Sequence, residues 1–243
     1  MITLLRALCL LLLLASPAVA AFPTTGLIDD FNRANENPLS EAGNWESPPI
    51  PGGGGSCETF KLVSNAIQDD STADGCGSGQ AYWEVVFGPG VEVYASFPTV
   101  WNAAGSDGWF WLNGNAEPTA ATDGYICYFF YDTGSWKYGC DRHDNTVATN
   151  ISADTVGPTL GSGDKLGVEL TAAGLFTWYH FPSGGAWGVA SGPTPFTDTT
   201  YTTGHIGISK GFNDTTSIVD DFSGGTIVAS GTSRFRTLVG AGQ

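Results

Sequence analysis

After residue 20 the chain never sustains an apolar period near 3.6, and what recurs instead is a short alternating run closed by glycine. Val91, Val93, Ala95 and Phe97 fall on one side of such a run, and Glu92, Tyr94 and Ser96 on the other. Leu166, Val168 and Leu170 alternate in the same way with Lys165, Gly167, Glu169 and Thr171. A period of two is the mark of a half-buried antiparallel strand. Eleven runs qualify: Leu27–Phe31, Phe60–Ile67, Ala81–Phe87, Val91–Phe97, Gly108–Leu112, Tyr125–Tyr131, Ser135–Asp141, Lys165–Thr171, Leu175–His180, His205–Ser209 and Ile218–Phe222. Between them lie glycine- and proline-rich loops, at 48–55, 157–163 and 183–195. With 34 Gly, 30 aromatic residues and only 14% charged residues, the composition favours many short strands and many turns over helices. The expected fold is all-β, a two-sheet antiparallel jelly-roll sandwich.

The first twenty residues read as a targeting segment. Arg6 supplies a positive start, a leucine-rich run follows through Leu14, and Ala18-Val19-Ala20 is an A-x-A cleavage site. That run is shorter than the roughly 20 apolar residues a membrane span needs. The expectation is a signal peptide over 1–20, a sandwich domain over 21–228 and a flexible tail over 229–243, in a secreted or cell-surface protein with no membrane insertion after cleavage. The formal charge is −15, from 9 basic and 24 acidic residues. A chain so acidic repels nucleic acid and anionic membranes, and is compatible with neutral glycans, cations or basic partners.

Cys9 falls in the targeting segment, and Cys57, Cys76, Cys127 and Cys140 remain. An even count behind an export signal reads as two disulfides. If Thr133-Gly134 is a two-residue hairpin loop, Asp132 faces Ser135, Tyr131 faces Trp136, Phe129 faces Tyr138 and Cys127 faces Cys140. The cysteine pair then falls on a non-hydrogen-bonded position with Cα atoms about 4.5 Å apart, within reach of a disulfide. Cys57–Cys76 follows by elimination. A metal site from these four is not expected, because no C-x-x-C pair occurs.

The segment Asp29-Asp30-Phe31-Asn32-Arg33-Ala34-Asn35-Glu36-Asn37-Pro38-Leu39-Ser40, followed by Trp45, resembles the opening of bacterial and phage LamG-like domains of the concanavalin A-like lectin/glucanase superfamily. Leu62-Val63-Ser64-Asn65, Ala81-Tyr82-Trp83, Asp123-Gly124-Tyr125, Gly163-Asp164-Lys165-Leu166-Gly167, Gly204-His205-Ile206-Gly207 and Asp220-Asp221-Phe222 match later parts of that pattern in order. The resemblance implies a concanavalin A-like sandwich with the first and last strands side by side. It thereby accounts for the echo between Ile28-Asp29-Asp30-Phe31 and Val219-Asp220-Asp221-Phe222. It also implies that the cystine side of the hairpin faces inward.

Three kinds of chemistry bear on function. The glucanase pattern Glu-x-Asp-x-x-Glu is absent; Glu84, Glu92 and Glu169 stand alone, and His143 and His180 have no partner motif. With so few basic residues a lyase array is equally unsupported, so the sequence presents no catalytic motif and an enzyme is the less favoured reading. Asp29, Asp30, Asp220 and Asp221 would gather if the terminal strands pair, and their hard oxygens suit Ca²⁺. Asp70-x-Thr72-x-Asp74-Gly75 is a partial calcium-loop pattern without its closing Glu. If the cystine face is inward, Tyr128, Phe130 and Lys137 point outward, and Phe110 extends that platform if Trp109 and Trp111 form the core. An exposed aromatic platform is how sugar rings are gripped. Asn150-Ile151-Ser152 and Asn213-Asp214-Thr215 fit the glycosylation sequon. The resulting expectation is a secreted, non-catalytic module for a glycan or glycoprotein surface, with calcium as a candidate cofactor. The alternatives are a structural or adhesive surface or virion component without a small-ligand site, and a polysaccharide-degrading glycosidase or lyase.

Overall fold

A computed structural model describes residues 22–46, 60–69, 79–100, 102, 104, 106–114, 123–145, 147–210 and 218–228. The targeting segment, the tail, Cys57, Cys76, the Asp70–Gly75 stretch and the Asn213 sequon lie outside the described residues. The strands are β1 (Leu27–Asp29), β2 (Trp45–Glu46), β3 (Phe60–Val63), β4 (Ala66–Asp69), β5 (Gly79–Trp83), β6 (Val91–Thr99), β7 (Asp107–Gly114), β8 (Gly124–Asp132), β9 (Ser135–Asp144), β10 (Val147–Val156), β11 (Asp164–Leu170), β12 (Leu175–Phe181), β13 (Gly188–Val189), β14 (Phe196–Thr197), β15 (His205–Lys210) and β16 (Ile218–Thr226). One sheet has the order β13-β12-β11-β6-β16-β4-β3, with β1 added to β16 and β14 to β12. The other has seven strands, in the order β10-β9-β8-β7-β15-β5-β2. All pairings are antiparallel, so the expected two-sheet sandwich is the observed one.

The alternation read from the sequence sorts the side chains between core and surface. Val91, Val93, Ala95 and Phe97 of β6 and Leu166, Val168 and Leu170 of β11 are buried between the sheets. They meet Phe110, Leu112, Tyr125, Cys127, Phe129, Tyr138, Cys140, Ile206 and Ile208 from the seven-stranded sheet. The terminal strands do lie together: β1 pairs with β16, Leu27 opposite Ser223 and Asp29 opposite Phe222.

Besides the short added strands β2, β13 and β14, two elements differ from the sequence expectation. The run Phe60–Ile67 is a tight hairpin, not one strand, because Ser64 and Asn65 both take positive φ (54° and 64°), the geometry of a two-residue primed turn. Strand β10 carries no aliphatic alternation, since most of its residues are exposed. Backbone pairing to β9 holds it at the sheet edge, and bulges interrupt the ladder there.

Candidate functional site

Hairpin β8–β9 sets the register of the site. Thr133 and Gly134 take φ of 46° and 89°, as a primed two-residue loop requires. Asp132 then faces Ser135, Phe129 faces Tyr138, and Cys127 faces Cys140. Those cysteines are bonded, with Cα atoms 4.1 Å apart. The cystine is fully buried, so every second residue of the hairpin points outward. On β8 these are Ile126, Tyr128 and Phe130, all half-buried; on β9 they are Lys137, Gly139, Asp141 and His143.

Cross-strand pairing extends the face. Trp109 lies opposite Tyr128 and Trp111 opposite Ile126, whereas Phe110 lies opposite Cys127. Phe110 is therefore core, with no exposed surface, and leaves the candidate ligand set. Its inclusion assumed that Trp109 and Trp111 faced inward. The bulk of both indoles hid the parity of this strand, and Trp109, half-buried, is the outward residue.

Tyr128 has the most defined geometry on the face. Its ring lies down across β9: a Cβ on Gly139 would fall 2.6–2.8 Å from the Oη, Cζ and Cε2 of Tyr128. Only glycine leaves room for that. The hydroxyl donates to Asp154 Oδ1 at 2.7 Å and accepts from Asn150 Nδ2 at 3.0 Å. The same amide donates to Asp141 Oδ1 at 3.0 Å. Burial, with Asp154 as acceptor, pushes the Tyr128 hydroxyl pKa up, so it stays a donor. Burial likewise raises Asp141, with the Asp154 charge adding to it, and burial lowers His143 against the opposing pull of Asp141 and Asp144. Phe130 sits 6.1 Å from Tyr128, and the Lys137 ammonium lies 5.8 Å over its ring while paired to Asp132. Asn150 stood out in the sequence only as a sequon, and Asp154 and Gly139 not at all. Their role depends on β10 lying beside β9, which no hydrophobic pattern announces.

The opening motif has a different use. Asp29 is buried and accepts from the Phe31 N–H and Trp45 Nε1, each at 2.7 Å. Arg33 Nη1 spans both its oxygens at 2.7 and 2.9 Å. Arg33 Nε also reaches Glu36 at 2.8 Å, and Glu36 accepts the N–H groups of Ser40 and Glu41. Trp45 packs against Phe31 and Phe222. Asp29 is thus saturated, with a guanidinium where a dication would have to sit. Asp30 is exposed and accepts the Asn32 N–H. Asp220 accepts the Asp221 N–H, and Asp221 meets Ser96 and Lys165. The terminal strands pair, yet these four aspartates do not fit a calcium site, and no group of three His, Cys, Asp or Glu is placed to hold a metal among the described residues.

Glu92, Glu169, Asp164 and His180 have structural partners. Glu92 and Glu169, which looked isolated, face each other across β6 and β11. Glu92 is fully buried beneath the segment 22–26 and accepts both N–H groups and both hydroxyls of Thr24 and Thr25. Tyr179 donates to Glu169 at 2.9 Å, and His180 Nε2 lies 2.8 Å from Asp164.

No family model matches the chain, and no curated protein matches it in sequence. Solved structures do match in fold. The exoplasmic/lumenal domain of VIP36, in a Ca²⁺/Man3GlcNAc-bound form, superposes with a TM-score of 0.56 at 11% identity, over 82% of this chain and 90% of that one. A legume lectin-like domain from Entamoeba histolytica gives 0.54 at 11% identity, over 80% and 97%. The carbohydrate recognition domain of Emp47p gives 0.53 at 10% identity, over 82% and 92%. The chain thus has the concanavalin A-like fold of legume-type lectin domains.

Proposed function

We propose that this is an exported, non-catalytic module that binds a glycan or glycoprotein surface through the outer face of the seven-stranded sheet, with Tyr128 at its centre. The observation that carries this reading is the Tyr128 ring laid over Gly139 and pinned by Asp154 and Asn150. An aromatic face fixed in advance takes the apolar face of a pyranose at little entropic cost. Phe130 and Trp109 widen the platform, while Asp141, Asn150 and Asp154 set hydrogen-bonding groups beside it. The lectin domains of like fold lend support, and calcium assistance belongs to the same reading because VIP36 is known in a calcium-bound form. Any calcium would have ligands other than the four terminal-strand aspartates.

The test is a glycan array probed with the protein in calcium and again in EDTA, beside Tyr128→Ala and Gly139→Val. Binding to a defined sugar class that both variants lose supports the reading. Binding that also vanishes in EDTA adds calcium to it. A blank array in both conditions removes it.

A further inference from the structure

We propose that the Tyr128 platform selects its glycan by charge, favouring an amine-bearing pyranoside over a neutral one and excluding acidic sugars. The proposal rests on the glycan-binding reading above and adds the class of sugar.

The groups around the ring accept hydrogen bonds more than they donate them. Asp154 uses Oδ1 for the Tyr128 hydroxyl, and Asp141 uses Oδ1 for the Asn150 amide. Each carboxylate has a second oxygen, and the Asn150 amide carries an acceptor of its own. A ligand at this edge of the ring must therefore bring donors. Sugar hydroxyls do so singly; an ammonium brings three and a charge.

The cations of β7 to β10 do not change that balance. They are Lys137, Arg142 and His143. Lys137 is paired with Asp132 over Phe130. Arg142 faces Tyr125 on the opposite side of the sheet and is bound to Asp144 and Asp198, each at 2.8 Å. His143 is held toward its neutral form by burial. The whole chain, at −15, adds a field of the same sign. A uronate or sulfate at this edge would meet two carboxylates with no unpaired cation of these strands to compensate.

Three β-1,4-linked hexasaccharides test this by calorimetry at pH 6, where the amines carry their proton: hexaglucosamine, cellohexaose and hexamannuronate. With two partly exposed carboxylates at stake, the amine hexamer is expected to bind about tenfold more tightly than the neutral one. The acidic hexamer should show no measurable heat. Half-molar salt should shrink the preference, since these charges are screened. In the double variant D141N/D154N the ratio of amine to neutral affinity should fall below about threefold, whatever the absolute affinities do. Tyr128→Ala separates a site from bulk attraction: amine binding that survives it is nonspecific adsorption to an acidic protein and overturns the proposal. Tyr128-dependent binding of hexamannuronate as strong as cellohexaose also overturns it, and leaves the glycan-binding reading standing. No binding of any hexamer, with a blank array, removes that reading and this one together.

Discussion

Arg33 joins three carboxylates, those of Asp29, Glu36 and Glu41. Its guanidinium ties Asp29 to Glu36, and Glu36 in turn holds the N–H groups of Ser40 and Glu41. Removing one member of such a network strands the others. Arg33→Ala is expected to cost about 3 kcal/mol, because Asp29 would stay buried without its counter-charge. Urea denaturation measures it, and a loss below about 1 kcal/mol would show that the pair acts like a surface bridge. The same knot predicts a pH effect. Burial pushes the Glu36 carboxyl up, but Arg33 and the two backbone N–H groups outweigh it and hold it at about 2, against an ordinary 4.5. A carboxylate with a depressed native pKa stabilises the fold fully above its unfolded value and loses that contribution as pH falls through the native one. The urea midpoint should therefore drop between pH 4.5 and 2, more steeply than in Glu36→Gln. Asp198 adds to the slope: hydrogen bonds from Tyr125, Thr200 and Arg142 overcome its burial and hold it at about 2.

Among the elements, hairpin β8–β9 joins structure to proposed function. Its loop, its cystine and its platform are three consequences of one register. Replacing both Cys127 and Cys140 by Ala should destabilise by about 3 kcal/mol, the chain-entropy expectation for a loop of this length. Calorimetric unfolding gives the value. Gly139→Ala separates the platform from the staple. A methyl group there collides with the Tyr128 ring, which must rise off β9 and give up Asp154. The expected outcome is a tenfold or greater loss of glycan affinity with the cystine intact by mass. Unchanged affinity would mean that the ring is not the contact.

For the molecule as a whole, closure of the larger sheet depends on a segment that belongs to no strand. Phe22 stacks on Tyr179 at 4.0 Å and meets Tyr94 and Trp187 edge-on, over Gly167. Behind it, Thr24 and Thr25 satisfy the buried Glu92. The strap thus covers a carboxylate and three rings that would otherwise face water. Phe22→Ala is expected to lower stability by about 3 kcal/mol, as for a core aromatic. The near-ultraviolet circular dichroism of Trp187 should change with it. A variant as stable as the parent would show that the strap merely decorates the sheet.

The alternation of apolar and polar residues between glycine-rich turns was enough to determine the β class, the two-sheet arrangement and ten of the eleven expected runs as strands. A period of two has one structural solution when one face must be dry. The Cys127–Cys140 register was legible for the same reason, since a slip of one residue would have parted the sulfurs. The pairing of the first and last strands, and the inward side of the hairpin, were implied by family resemblance and hold in the structure. What the sequence could not decide were relations across the fold. Asp29 looks like a metal ligand until Arg33 and Trp45, four and sixteen positions away, are seen to occupy it. Phe110 looks outward until its pairing to Cys127 fixes its parity. Asp154 and Asn150 become neighbours of Tyr128 only through β10, a strand held by backbone hydrogen bonds, whose donors and acceptors are the same in every sequence and so leave no pattern to read.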